Sequence, residues 1–300
     1  MPRDDWPSLR DDCIAMVPLR CALMNPNLYA LAAIALWASL ATLGVSLARV
    51  PPLLLTGLAL LVGSVPAWAH WRQWRVRPSV LALGVYGLFG FHFLLFIALR
   101  HAPPVQANLV NYLWPLFIVV LAPVLLPAVR LKALHVIAAL LGFAGAALAI
   151  LGGKDVSGAL AWGYLPALGS ALIWATYSLA TRRLSDAGAA FPTSAIGLFG
   201  LVSGVLSLAC HLLLEPAHEL QSRELVLIVA MGLGPLGAAF FLWDRALKGG
   251  DPRTIGVLSY LTPLASTALL VLATGRSFTP SIVLAAVLIV GAALLALRLK

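Results

Sequence analysis

From residue 27 to residue 297 the chain is a succession of apolar stretches, each about 20 residues long and separated by short polar breaks. A hydrocarbon core about 30 Å thick is crossed by about 20 helical residues. A soluble fold of 300 residues has no use for so many such stretches, since 61% of the residues are hydrophobic and only 10% are charged. The expected fold is therefore an all-α integral membrane protein. Ten spans are predicted, at 27–47, 52–70, 79–99, 104–126 and 131–151, then at 159–180, 191–214, 225–246, 254–274 and 279–297. The connections between them are too short for a separate soluble domain, and an even number of crossings leaves both termini on one side.

The net charge of +9 does not point to nucleic acid, because the positions of the basic residues matter more than their sum. If the N terminus is cytoplasmic, 15 of the 20 Lys and Arg residues, from Arg3 through Arg72, Arg130, Arg182 and Arg245 to Lys300, fall on that side. Arg49, Arg100, Lys154, Arg223 and Arg276 fall on the other, with the acidic cluster Glu215, Glu219 and Glu224. That asymmetry predicts cytoplasmic termini. Residues 1–26 alternate Arg and Asp without an apolar core, which describes a poorly ordered cytoplasmic leader rather than a cleaved signal peptide, with Met16 and Met24 as alternative starts. Cys13, Cys21 and Cys210 are odd in number and imply no disulfide framework.

The chain is also duplicated. Asn111-Tyr112-Leu113-Trp114-Pro115-Leu116 returns 148 positions later as Ser259-Tyr260-Leu261-Thr262-Pro263-Leu264. At the same offset Gly84 aligns with Gly232, and Ala98-Leu99-Arg100 with Ala246-Leu247-Lys248. Leu36-Trp37-Ala38 resembles Ile173-Trp174-Ala175 at an offset of 137. The expected organisation is one membrane domain of two five-helix copies, residues 27–152 and 153–300. A unit of five crossings is odd, so the second copy enters the membrane inverted. Inverted copies with a proline beside an aromatic at matching depths mark a substrate site at the repeat interface. Pro115, Pro235 and Pro263 interrupt their helices and are the candidate hinges. The many glycines of the third, seventh and eighth spans serve close packing.

Ser170, Trp174, Tyr177, Ser178 and Thr181 share one face of the sixth span, serving either helix packing or a cavity wall. Trp37 is the repeat partner of Trp174. In the fourth span Asn108 and Tyr112 share a face, and in the ninth Ser259 and Tyr260 lie on neighbouring faces. Tyr112 and Trp114 stand about 200° apart on a regular helix, so both reach one cavity only if Pro115 distorts the backbone. No Asp, Glu, Lys or Arg falls near the middle of any span, and His92, either a neutral core residue or a contact, is the deep ionisable group. Together with Phe91, these residues predict a cavity for a small amphiphile with an aromatic or bulky apolar side chain, moved down its own gradient. No metal or cofactor motif is present, and the rival readings are an intramembrane enzyme, a channel, or a carrier of drugs or nucleotide sugars.

Val110-Asn111-Tyr112-Leu113-Trp114-Pro115, Ile173-Trp174-Ala175-Thr176-Tyr177 and Ser259-Tyr260-Leu261-Thr262-Pro263 resemble the drug/metabolite transporter superfamily with paired EamA-type repeats, and within it the YddG-type aromatic amino acid exporters. The resemblance covers about residues 27–298. It implies a ten-helix exporter of aromatic and other apolar amino acids in a bacterial-type inner membrane, alternating between inward-open and outward-open states. It further implies cavity aromatics at Tyr112, Trp114 and Trp174, no cofactor, and a functional monomer.

Overall fold

The computed structural model describes residues 25–151, 161–274 and 279–299. The expected leader falls almost wholly on residues 1–24, outside that set. Nine helices among the described residues are long and apolar enough to cross a membrane: α1 (Pro26–Ser46), α2 (Pro52–Trp74), α3 (Pro78–His101), α4 (Pro104–Leu125), α5 (Ala133–Leu151), α7 (Ala195–Leu214), α8 (Ser222–Gly249), α9 (Pro252–Leu272) and α10 (Pro280–Arg298). Between α5 and α7 lies α6 (Tyr164–Asp186), 23 residues long but too polar to join the nine. It runs past the predicted end at residue 180 because Arg182, Arg183 and Leu184 favour helix, and Arg182 pairs with Asp186 at 2.7 Å one turn on.

Proline opens α1, α2, α3, α4, α9 and α10, in the first turn, where its missing N–H has no intrahelical partner to lose. The outward faces stay apolar. Leu212 and Leu213 are 81% and 82% exposed, and Val124 is 71% exposed, which suits lipid and not water.

The duplication read from the residues recurs in the backbone. A π-helical turn interrupts α3 at Tyr86–Gly90 and α8 at Gly234–Ala238, 148 positions apart. α4 breaks at Tyr112 and Leu113, and α9 at Ser259 and Tyr260. Packing follows the same correspondence: α1 lies on α8 as α6 lies on α3, and α4 on α6 as α9 on α1. The pairs α2 with α7, α4 with α9 and α5 with α10 map onto themselves.

The loop after α7 is held tightly. The Glu215 carboxylate, whose side chain is 1% exposed, accepts from the Leu53 and Leu54 amides at the start of α2 and pairs with Arg100 at 2.8 Å. His211 lies 2.9 Å from it, one turn back on α7. Three helices, α2, α3 and α7, thus meet on one buried carboxylate, which satisfies helix-start donors and faces the positive end of a helix dipole.

Candidate functional site

A cavity of about 410 Å³ lies where the two halves meet, walled by α1–α4 on one side and by α6, α8 and α9 on the other. It runs from a cluster of indoles at mid-bundle toward the end where α1 and α3 finish, past Gly44, Thr56 and Leu99. Trp37 sits at the centre of the cluster, its ring centroid 5.2 Å from Trp243, 5.9 Å from Trp174 and 6.4 Å from Trp114. Phe91 and Phe240 flank Trp174 at 5.3 and 5.6 Å. Most of these pairs are edge-to-face or tilted, the arrangement that the ring quadrupoles favour.

The backbone irregularities position these rings. The Trp37 indole N–H donates to the Pro235 carbonyl at 3.0 Å, inside the π-helical turn of α8. Trp243 Nε1 donates to Ser178 Oγ at 3.1 Å, which ties the indole cluster behind the cavity to α6. The break in α4 brings both Tyr112 and Trp114 to the cavity wall. Pro115 lies in the first turn after that break, where it removes a donor that would otherwise link the two segments.

The polar lining is neutral; among the described residues no Asp, Glu, Lys or Arg lines this cavity. The Asn111 side-chain amide lies 2.8 Å from Ser170 Oγ, which also lies 2.7 Å from the Ala167 carbonyl, and this contact ties Asn111 to α6 at the cavity wall. His92 Nδ1 lies 2.6 Å from the Leu88 carbonyl, which can only accept; the proton therefore sits on Nδ1, and Nε2 is the ring's acceptor. Asn108, Thr56, Thr262 and Ser266 add an amide and three hydroxyls. Such a site orients a dipolar or zwitterionic end with hydrogen bonds while the indoles enclose an apolar body.

Of the residues singled out from the sequence, Trp37, Phe91, His92, Asn108, Tyr112, Trp114, Trp174 and Pro235 line the cavity. Tyr177, Ser259, Tyr260 and Pro263 do not. Tyr177 is 3% exposed and stands behind Trp174, at 5.4 Å, over Gly87, where a side chain would collide with its ring. Ser259 Oγ turns back to the Ile255 carbonyl at 2.8 Å. Tyr260 is fully buried against Gly142 of α5 and lies 6.4 Å from Phe143. The physical reason is register. The break in α9 comes one residue earlier than in α4, and one helical step is about 100°, enough to turn Tyr260 from the cavity toward α5.

Phe240, Trp243, Thr56 and Thr262 were not among the sequence candidates. For two of them a signal existed: Phe240 is the repeat counterpart of His92, and Thr262 that of Trp114, each at an offset of 148. The counterparts meet in space, with the His92 and Phe240 rings 6.2 Å apart.

The EamA-like transporter family matches this chain twice, over residues 24–151 and 161–298. An aromatic amino acid exporter, YddG of Ancylobacter novellus, is 41% identical over 91% of this chain and 96% of its own length. An uncharacterized transporter of Bacillus subtilis, YyaM, is 26% identical over 71% of this chain and 70% of its own. A protein of known crystal structure superposes with a TM-score of 0.83 at 39% identity, covering 90% of this chain and 96% of that one. A family profile that fits each half in turn accounts for both the repeated backbone breaks and the cavity between them, and on that ground the chain belongs to the EamA-like transporter family of the drug/metabolite transporter superfamily.

Proposed function

We propose that this chain is an alternating-access carrier that exports aromatic and other bulky apolar amino acids down their gradient. The observation that carries the reading is the uncharged, indole-lined cavity of about 410 Å³ between the two halves. Its volume falls in the range of small-molecule sites, and its neutral donors and acceptors suit a zwitterionic backbone better than a multiply charged phosphate, which calls for Arg or Lys. The name of the 41% identical relative, an aromatic amino acid exporter, agrees with this substrate class.

In this reading α6 is the tenth crossing, and each five-helix half, 27–152 and 153–300, ends on the side opposite its start, so the halves are inverted. The distribution of 15 of 20 basic residues supports cytoplasmic termini in a bacterial-type inner membrane. The cavity then runs toward the outer face, with Trp243, 1% exposed and 5.2 Å from Trp37, packed behind its inner end. Pro115, Pro235 and Pro263 mark the irregular turns about which the halves rock, and one chain encloses a complete site, so a monomer suffices.

The test is uptake of Phe, Trp, Tyr, Leu, Ala and a charged amino acid into proteoliposomes by wild type and Trp174→Ala. Saturable uptake of the aromatic and large apolar substrates is expected, unchanged by an imposed pH gradient and about ten-fold or more weaker in the variant, the scale of a buried aromatic anchor. Equal flux of all six in both proteins would overturn the reading.

A further inference from the structure

A second hollow, about 630 Å³, lies on the other side of α8, between the end of α2, the start of α7 and α8 itself. It shares no lining residue with the indole cavity. Pro235 and Leu236 of the π-helical turn face the cavity, while Ala238 of the same turn faces this groove. The groove is polar at one end, where His70, Gln73, Ser194 and Arg245 gather, and apolar along Leu233, Ala238 and Leu242.

Four observations point to its occupant. The groove opens sideways to the bilayer: Leu233 is 47% exposed, and Val65 beside the α2 wall is 50% exposed. Leu233 and Arg245 are 12 residues apart, about 18 Å along a helix, close to the roughly 15 Å of one leaflet's hydrocarbon plus the start of its headgroup layer. The polar end sits at interface depth, because Trp68 and Trp71 of the same α2 segment are 50% and 60% exposed there, as an aromatic belt requires. The local charge is positive. Arg245 is exposed with its guanidinium 5.7 Å from the Tyr29 ring and has no carboxylate partner among the described residues. The adjacent Asp244 carboxylate is taken up by Lys248 and Thr193, each at 2.7 Å.

We propose that this groove binds an anionic phospholipid, with its phosphate at Arg245 and His70 and one acyl chain along Leu233, Ala238 and Leu242. The lipid braces the outer face of the irregular turn whose inner face lines the indole cavity. The site rests on membrane embedding, not on the carrier reading or on which side the termini lie.

Native mass spectrometry of the full chain, released from micelles titrated with phosphatidylglycerol or with phosphatidylcholine of identical chains, tests it. Phosphatidylglycerol adducts are expected at about five-fold lower lipid concentration, the effect of one basic side chain at a lipid surface. Arg245→Gln should abolish the preference, Arg245→Lys should keep it, and Ala238→Trp, which fills the chain track, should lower phosphatidylglycerol binding by a similar factor. Glycerol phosphate without chains should not compete. Equal binding of the two lipids, a preference that survives Arg245→Gln, phosphatidylglycerol binding unchanged by Ala238→Trp, or competition by glycerol phosphate would each overturn the proposal, the last by marking a soluble-anion site. Elution volume and melting temperature establish that each variant is folded; if Arg245→Gln is not, Ala238→Trp and the competitor decide.

Discussion

At the scale of single residues, Tyr112 and Tyr260 occupy equivalent places in the repeat yet lie in different surroundings. Tyr112 lines the indole cavity; Tyr260 is fully buried, fills the space above Gly142 and is not one of the residues lining that cavity. The side chain of Tyr112 is therefore expected to contribute to substrate affinity and that of Tyr260 to stability alone. Tyr112→Ala should raise KM for an aromatic substrate by about three-fold or more, corresponding to the ~0.5–1.5 kcal/mol of an aromatic contact. Tyr260→Phe, which keeps the packing, should leave KM unchanged in the same proteoliposome assay. The reverse ranking would mean that the α9 face, not the α4 face, meets the substrate. His92 is a further residue whose chemistry geometry defines: its Nδ1 proton is committed to the Leu88 carbonyl, so toward the cavity it can only accept while neutral.

At the scale of elements, the knot on Glu215 separates a buried charge from an exposed one. The Glu215 side chain is 1% exposed and serves two amides of α2, while its partner Arg100 is 42% exposed. Removing the carboxylate leaves the start of α2 without its acceptor and removes charge-assisted hydrogen bonds worth about 1.5–3 kcal/mol each. Glu215→Ala should lower the unfolding free energy by at least about 2 kcal/mol. Arg100→Ala gives up a largely solvated pair and should cost about 1 kcal/mol or less. Denaturant titration of the purified protein, followed by tryptophan fluorescence, reads both. Two similar losses would show that the knot acts through the Arg100 pair rather than through the helix start. The irregular turns of α3 and α8 and the breaks of α4 and α9 belong to this scale as well, since each delivers side chains to the cavity that a straight helix would point elsewhere.

At the scale of the whole molecule, the packing is the same when the halves are exchanged, and the cavity lies on the seam. The proposed orientation places the start of α1 inside and the start of α8 outside. Starting from a cysteine-free protein, Gln221→Cys should react in intact cells with a membrane-impermeant thiol reagent, while Asn25→Cys should react only after the membrane is opened. Labelling in the opposite order would invert the orientation and, with it, the side toward which the cavity runs.

The apolar stretches and the 148-residue repeat were legible without coordinates because each depends on local composition or on comparing the chain with itself. Spacing placed Tyr112 and Trp174 on polar helix faces, Trp37 followed as the repeat partner of Trp174, and Trp114 entered only through the resemblance, because a regular helix sets it about 200° from Tyr112. Sequence alone could not decide that Tyr260 turns away, because a break one residue earlier in α9 is a backbone event with no distinctive residue to announce it. Nor could it reveal the buried role of Glu215, whose partners come from α2, more than 160 positions away. Periodicity fixes which face of a helix is polar; only the way the helices lean on one another decides whether that face meets a cavity, a neighbour or the lipid.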